Sequence, residues 1–198
     1  MKRCSWCNLD NELYVLYHDQ EWGIENFSDE YLFEMLILES FQAGLSWECV
    51  LNKRESFRAA YDNFSLDKVC NYDDEKIKEL LDNKKIIRNK LKIKASINNA
   101  RIFKSIVLEM GSFYNYLKRF TEGKIFYETG LTSSELSDMI SNDLKKRGMK
   151  FVGTTIIYSY LQAIGVIYSH DESCFMYKEK QRWKILFITV VLMVILIQ

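Results

Sequence analysis

The chain has 198 residues, with 27 Lys+Arg against 27 Asp+Glu, so it is not a wholly basic nucleic-acid binder. Any such role must come from local patches. Twelve Phe, twelve Tyr and four Trp exclude a disordered chain, and the length suits one domain with a sizeable core.

The absence of Pro and the presence of only eight Gly point to a helical protein with short connections. In chain order, Ser28 reads as an N-cap. Residues 31–41 are apolar on almost every side, so a central buried helix is expected there. Gln42-Ala43-Gly44-Leu45 interrupts it, and Ser46 is placed to cap a second helix over residues 47–61. Ser65 and Tyr72-Asp73 open two short helices, the second ending near Leu81. A long helix is expected over residues 89–109, with Ile93, Ile97, Ala100, Ile106 and Val107 facing inward. Thr132-Ser133-Ser134-Glu135 has capping-box spacing. The helix it opens closes on Lys145-Lys146-Arg147, with Gly148 at C′. A last core helix is expected over residues 155–168. The expected fold is all-α, one domain over residues 1–180.

The 183–198 tail stands apart. Within residues 185–197 only Thr189 is polar, yet thirteen residues fall short of the roughly 20 that a membrane-crossing helix needs. The tail reads as a short anchor bringing membrane contact, an added core element, or a sequence foreign to the domain. The chain opens Met1-Lys2-Arg3-Cys4 without an apolar signal region, and its five cysteines have no disulfide-framework spacing. Both features point to a reducing cytoplasm.

Two basic clusters offset the neutral total. No acidic residue falls in residues 83–108, which contain Lys84, Lys85, Arg88, Lys90, Lys92, Lys94, Arg101 and Lys104. Lys145, Lys146, Arg147 and Lys150 form the second. Either is a solvated helix face or a phosphate-contacting surface.

The chain has two histidines, each with a cysteine nearby: Cys4 ahead of His18, and Cys174 four residues after His170. Two thiols and two imidazoles make a Cys₂His₂ set for one tetrahedral Zn²⁺. Four protein ligands leave no position for an activated water, so the ion is structural. Cys4-Ser5-Trp6-Cys7 is a C-x-x-C and supplies an alternative N-terminal pair, with His18 left free. Scattered buried thiols are the plain alternative.

Glu39 lies at the end of the apolar helix, just before the Gly44 turn and Trp47. A carboxylate among apolar neighbours costs free energy unless it meets a donor. Trp6, Tyr14, Tyr17, Trp22 and Trp47 either fill a core around it or form the faces of a slot for a flat ligand.

The longer motifs resemble those of a known family. Arg3-Cys4, Tyr17-His18-Asp19-x-Glu21-Trp22-Gly23, Glu39-x-x-Gln42-Ala43-Gly44-Leu45-Ser46-Trp47 and Lys53-Arg54-Glu55 occur in order. Asn99-Ala100-Arg101 and Lys145-Lys146-Arg147-Gly148-x-Lys150-Phe151-Val152-Gly153-Thr154-Thr155 follow. Together they are similar to bacterial DNA-3-methyladenine glycosylase I, from residue 3 to about residue 175. The resemblance implies a helix-hairpin-helix glycosylase fold, with a structural zinc on Cys4, His18, His170 and Cys174 rather than Cys7. It implies a monomeric enzyme that flips 3-methyladenine out of double-stranded DNA and hydrolyses its N-glycosidic bond without a lyase step. In that pattern Glu39 recognises the base. Tyr14, Tyr17 and Trp47 line or stack on it, with Trp6 and Trp22 nearby. Gly44 and Leu45 form a wedge, and Lys84, Lys85, Arg88, Lys90 and Lys150 face DNA. A non-catalytic alkylated-base-binding protein on the same fold is the alternative. The chain departs from the family where Lys85 and Leu91 replace hairpin glycines. Lysine adds charge but cannot reproduce glycine's backbone freedom, so a weaker grip on DNA is expected.

Overall fold

A computed structural model describes residues 1–178; the 183–198 tail, with its anchor reading, lies outside them. Ten helices dominate the described residues: α1 (Glu12–Gln20), α2 (Asp29–Gln42), α3 (Trp47–Leu51), α4 (Arg54–Ala60), α5 (Leu66–Cys70), α6 (Asp74–Asp82), α7 (Lys90–Met110), α8 (Phe113–Thr121), α9 (Glu135–Lys146) and α10 (Thr154–Ala163). Among them no helix is long and apolar enough to cross a membrane.

The central element is α2. Ser28 caps it by accepting from the Tyr31 amide, and its ten residues from Leu32 to Phe41 are all buried. A helix apolar all round must be enclosed, and α7, α8 and α10 pack around this one. α6 and α7 are joined by a hairpin of residues 83–89, with Asn89 capping α7 through the Leu91 and Lys92 amides. Ile93, Ile97, Ala100 and Ile106 are buried in the core, while Val107 is only partly covered.

Beyond α1 and α8, which the sequence expectation lacked, four details differ from it. The fold is mostly helical but not wholly so: β1 (Phe126–Tyr127) and β2 (Ile167–Tyr168) pair in parallel, with Phe126 opposite Ile167. The helix expected over residues 155–168 therefore stops at Ala163. Gly165 is the cause. It sits at φ +80°, and a Cβ there would lie 2.7 Å from the Glu25 amide nitrogen, so no other residue fits. The segment expected as one helix over residues 47–61 is broken at Asn52-Lys53, where the Asn52 side chain accepts from Asn11. Finally, the capping box at α9 is formed by Ser134 and Ser137, not by Thr132 and Glu135. The C-terminal end of α9 does place Gly148 beyond its last turn, at φ +99°.

Candidate active site and metal cluster

α1 projects His18 into the interior, while the turn after β2 brings His170 and Cys174 against the N-terminal segment carrying Cys4. The four donor atoms lie within 4.8 Å of one another, and all four residues are buried. Cys4 Sγ is 3.3 Å from His170 Nδ1; Cys174 Sγ is 3.4 Å from His18 Nε2 and 3.6 Å from His170 Nδ1. A tetrahedron with Zn–S of about 2.3 Å and Zn–N of about 2.0 Å has S···N edges of about 3.5 Å, so the donor set fits such an ion.

The surrounding groups fit it as well. His18 Nδ1 is 2.8 Å from Asp19 Oδ1, and Arg3 holds that carboxylate through two bonds of 2.8 and 2.7 Å. This carboxylate fixes the tautomer that leaves Nε2 free for a metal. The Arg3 guanidinium also holds Asp19 below the ordinary carboxylate range. The amides of Asp171 and Met176 donate to the sulfurs of Cys4 and Cys174 at 3.3 and 3.4 Å. Without an ion, burial pushes the Cys4 thiol up to about 12 and His170 down to about 4. Cys7 stands outside the cluster; its thiol is directed to the Tyr14 carbonyl.

The aromatic ligand slot adjoins this cluster. A cleft of about 320 Å³ is lined by Trp6, Tyr14, Tyr17, Trp22, Glu39 and Trp47, all six of the residues singled out from the sequence. That volume lies at the lower end of the ~300–1,000 Å³ typical of small-molecule sites. Tyr17 and Trp47 face each other at 5.3 Å, and Trp6 meets Tyr14 at 5.4 Å and Trp22 at 4.7 Å. Trp6 also packs on His18 and Trp22 on His170, so the metal-type ligands brace the cleft wall directly.

Glu39 is only 2% exposed, and burial lifts its carboxyl to about 8. Its Oε2, together with Gln42 Oε1 and Trp47 Nε1, is buried without a hydrogen-bond partner. Each such atom costs about 1–3 kcal/mol. Three residues carrying such atoms line one cleft with aromatic faces, which suits a flat ligand with polar edges. Gln42 was not singled out as a contact from the sequence, nor were Gly130, Leu131, Ser159, Gln162, Ser169 and Asp171, which complete the lining. Ser159 and Gln162, three residues apart in apolar α10, carried a readable signal. Gly130 and Leu131 carried none. Asp171 accepts from the Ser5 amide at 2.6 Å, which ties it to the N-terminal segment.

At the cleft's edge α2 ends in a type II turn. Ala43 has φ −45° and ψ 113°, Gly44 has φ +77°, and the Leu45 amide donates to the Gln42 carbonyl at 2.6 Å. The third turn position demands a positive φ, which Gly44 supplies. Leu45 is left 43% exposed at the apex.

The basic run divides by face. Lys84, Lys85, Arg88 and Lys90 are exposed on the hairpin, and Lys150 is exposed on the turn after α9. Lys92 instead points inward and donates to the carbonyls of Phe41 and Ala43 at 2.8 and 2.6 Å. Arg101 donates to the Cys70 carbonyl, and Lys104 pairs with Asp67. Asn99 clamps the Lys150 backbone through both its amide and carbonyl, and Asn98 binds the Gly148 carbonyl. Glu21 and Arg54, from two of the sequence motifs, form a partly buried ion pair that Glu34 shares. The positions lacking glycine need none. Among the described residues, the non-glycine positions with positive φ are Asp62, Asn63, Phe64, Glu122 and Phe151, and neither Lys85 nor Leu91 is among them. Their amides donate to Asn83 and Asn89 side chains, each at 3.0 Å.

Comparison with known proteins agrees with this geometry. A family model described as methyladenine glycosylase matches residues 6–177. The chain is 42% identical to DNA-3-methyladenine glycosylase 1 of Escherichia coli K12, over 89% of this chain and 97% of that one. It is 34% identical to a DNA-3-methyladenine glycosylase of Haemophilus influenzae, over 87% and 96%. A solved 3-methyladenine DNA glycosylase I from Staphylococcus aureus, studied for its recognition of 3-methyladenine, superposes with a TM-score of 0.85. Identity is 30%, covering 91% of this chain and 98% of that one. The chain belongs to the methyladenine glycosylase family of enzymes.

Proposed function

We propose that the chain is a monofunctional base-excision glycosylase that extrudes 3-methyladenine from double-stranded DNA and hydrolyses its N-glycosidic bond, with residues 1–180 as a monomeric cytoplasmic unit. The observation that carries this reading is the cleft in which Glu39, Gln42 and Trp47 leave polar atoms unpartnered between aromatic walls.

Alkylation at N3 makes the purine cationic while it is still attached to the sugar. Water adds to C1′ as the C1′–N9 bond breaks. The electron pair stays with the base and neutralises it, and the water's proton passes to solvent. Little general-acid help is needed, so the protein's tasks are selection and orientation. The Tyr14, Tyr17 and Trp47 rings hold the extruded base, with Trp6 and Trp22 behind them. Glu39 accepts from its exocyclic amine. A buried carboxyl that is costly to ionise becomes favourable to ionise beside a cation, so the lesion is bound in preference to neutral adenine. Leu45 enters the space left in the duplex, and the exposed hairpin and Lys150 meet phosphates. No lysine lines the cleft among the described residues, which supports hydrolysis without a lyase step. Cys4, His18, His170 and Cys174 would hold Zn²⁺, which when bound supplies a cross-link between the two ends of the described chain and no chemistry on the base.

The test is chromatographic measurement of free base released from alkylated duplex DNA. Release of 3-methyladenine by the native chain, sharply reduced in Glu39→Gln, is expected. Binding of alkylated DNA without release would replace this reading with that of a base-binding protein on the same fold.

A further inference from the structure

Lys92 lies on α7, one turn inside the hairpin, yet it is only 7% exposed. Its ammonium reaches two carbonyls that α2 leaves open at its C-terminal end. Phe41 precedes the wedge turn and Ala43 is part of it, and their oxygens lie 2.8 and 2.6 Å from Nζ. Nζ also lies 5.9 Å from the centre of the Phe151 ring. Phe151 follows Lys150 and has φ +54°, a left-handed conformation that a bulky residue adopts only under constraint. Asn99, two turns further along α7, fastens the same turn through the Lys150 backbone. The hairpin, the wedge turn and the basic turn therefore converge on one side chain.

The placement is costly enough to need a reason. Burial lowers the pKa of Lys92 below the ordinary lysine value. An ammonium donating to carbonyls of a helix C-terminus interacts favourably with the partial negative charge there. An apolar residue would fill the space at lower desolvation cost, but it would leave both carbonyls without a donor and the turn without a tether.

We infer that Lys92 is a positioning residue for the proposed reaction, one that fixes the wedge turn to the phosphate-facing hairpin so that DNA docking and base extrusion share one rigid frame. It touches neither base nor phosphate. The inference rests on the glycosylase reading and adds a coupling to it: Glu39 and the aromatic cleft can receive a free base without Lys92, whereas emptying a duplex site needs the turn held in place.

Lys92→Met separates these requirements. Single-turnover excision from alkylated duplex DNA should fall by about tenfold or more, in keeping with the cost of a misplaced group. Binding of free 3-methyladenine, followed by tryptophan fluorescence, should change less than about twofold. Excision from alkylated single-stranded DNA should fall less than excision from duplex. Lys92→Arg, which keeps charge and donors, should recover part of the duplex rate. Equal losses in free-base binding and duplex excision would mean a general structural role and overturn the inference, as would an unchanged duplex rate. Should Lys92→Met fail to fold, Lys92→Gln, which keeps an uncharged amide donor, is read by the same measurements. A native chain that releases no base defeats the glycosylase reading; a fully active native chain with a fully active Lys92 variant defeats only this inference.

Discussion

The Cys/His cluster and the aromatic cleft share a wall but solve opposite problems. Around Cys4, His18, His170 and Cys174, the four donor atoms converge and most have neighbours that orient them: Asp19 behind His18, amides behind the sulfurs; His170 Nε2 alone stays unpartnered. Around Glu39, Gln42 and Trp47, residues that line the cleft, one polar atom each is left without a partner. Equal burial thus gives a closed site on one side of Trp6 and Trp22 and an open one on the other. The closed site consolidates the fold, and the open one stores a cost that a ligand can relieve.

The largest effect should come from breaking the closed site. His18→Ala, or stripping with a strong chelator, should remove bound zinc and lower the Tm by about 10 °C or more, because structural zinc contributes about 10–16 kcal/mol in small domains. Cys7→Ser should keep the metal. Metal analysis showing the reverse would overturn the ligand set.

Glu39→Gln should act oppositely on the two properties. Excision is expected to fall about 100-fold or more, with the helical circular-dichroism signal retained. Stability should rise with pH relative to the native chain. The folded-state pKa of Glu39, about 8, lies above the ordinary 4.5, so its contribution is complete below about pH 4.5 and is lost as pH climbs through 8. The variant should therefore match the native Tm near pH 4 and exceed it by several degrees at pH 8. Equal melting temperatures at both pH values would mean that Glu39 is not strained by burial.

Leu45→Ala should reduce duplex excision by about tenfold, since unstacking a base step costs a few kcal/mol, while free-base binding holds. The smallest effect belongs to Lys85→Gly. With no positive φ to relieve, the expected result is slightly weaker DNA binding and a salt slope shallower by about 0.9. Tighter binding than the native chain would mean that the glycine geometry matters after all.

Much of this was legible in the chain. The unbroken apolar stretch of α2, the caps at Ser28 and Ser46, and Gly148 are local signals that the packed structure had no reason to override. α1 was missed although Asn11 caps it and Tyr14, Tyr17 and His18 follow at helical spacing. The β1–β2 pair could not be read, because two residues per strand, about forty positions apart, leave no periodicity. The break at Asn52 is likewise tertiary, set by Asn11. For the site, residue type singled out the aromatic residues and the Cys/His candidates but left a packed core and a Cys4-Cys7 pair open; the resemblance chose between them. Charge alone misjudged the basic run. Lys92 falls on the same helical stripe as Ser96, Asn99 and Phe103, all buried, and periodicity rather than charge would have turned it inward.

Cys4 and His170 meet across 166 positions. During synthesis the first thiol and imidazole emerge long before their partners exist, and closing so wide a loop is entropically demanding. Because Trp6 packs on His18 and Trp22 on His170, any change that loosens the turn after β2 is felt at the wall of the slot, although that turn supplies few of its faces.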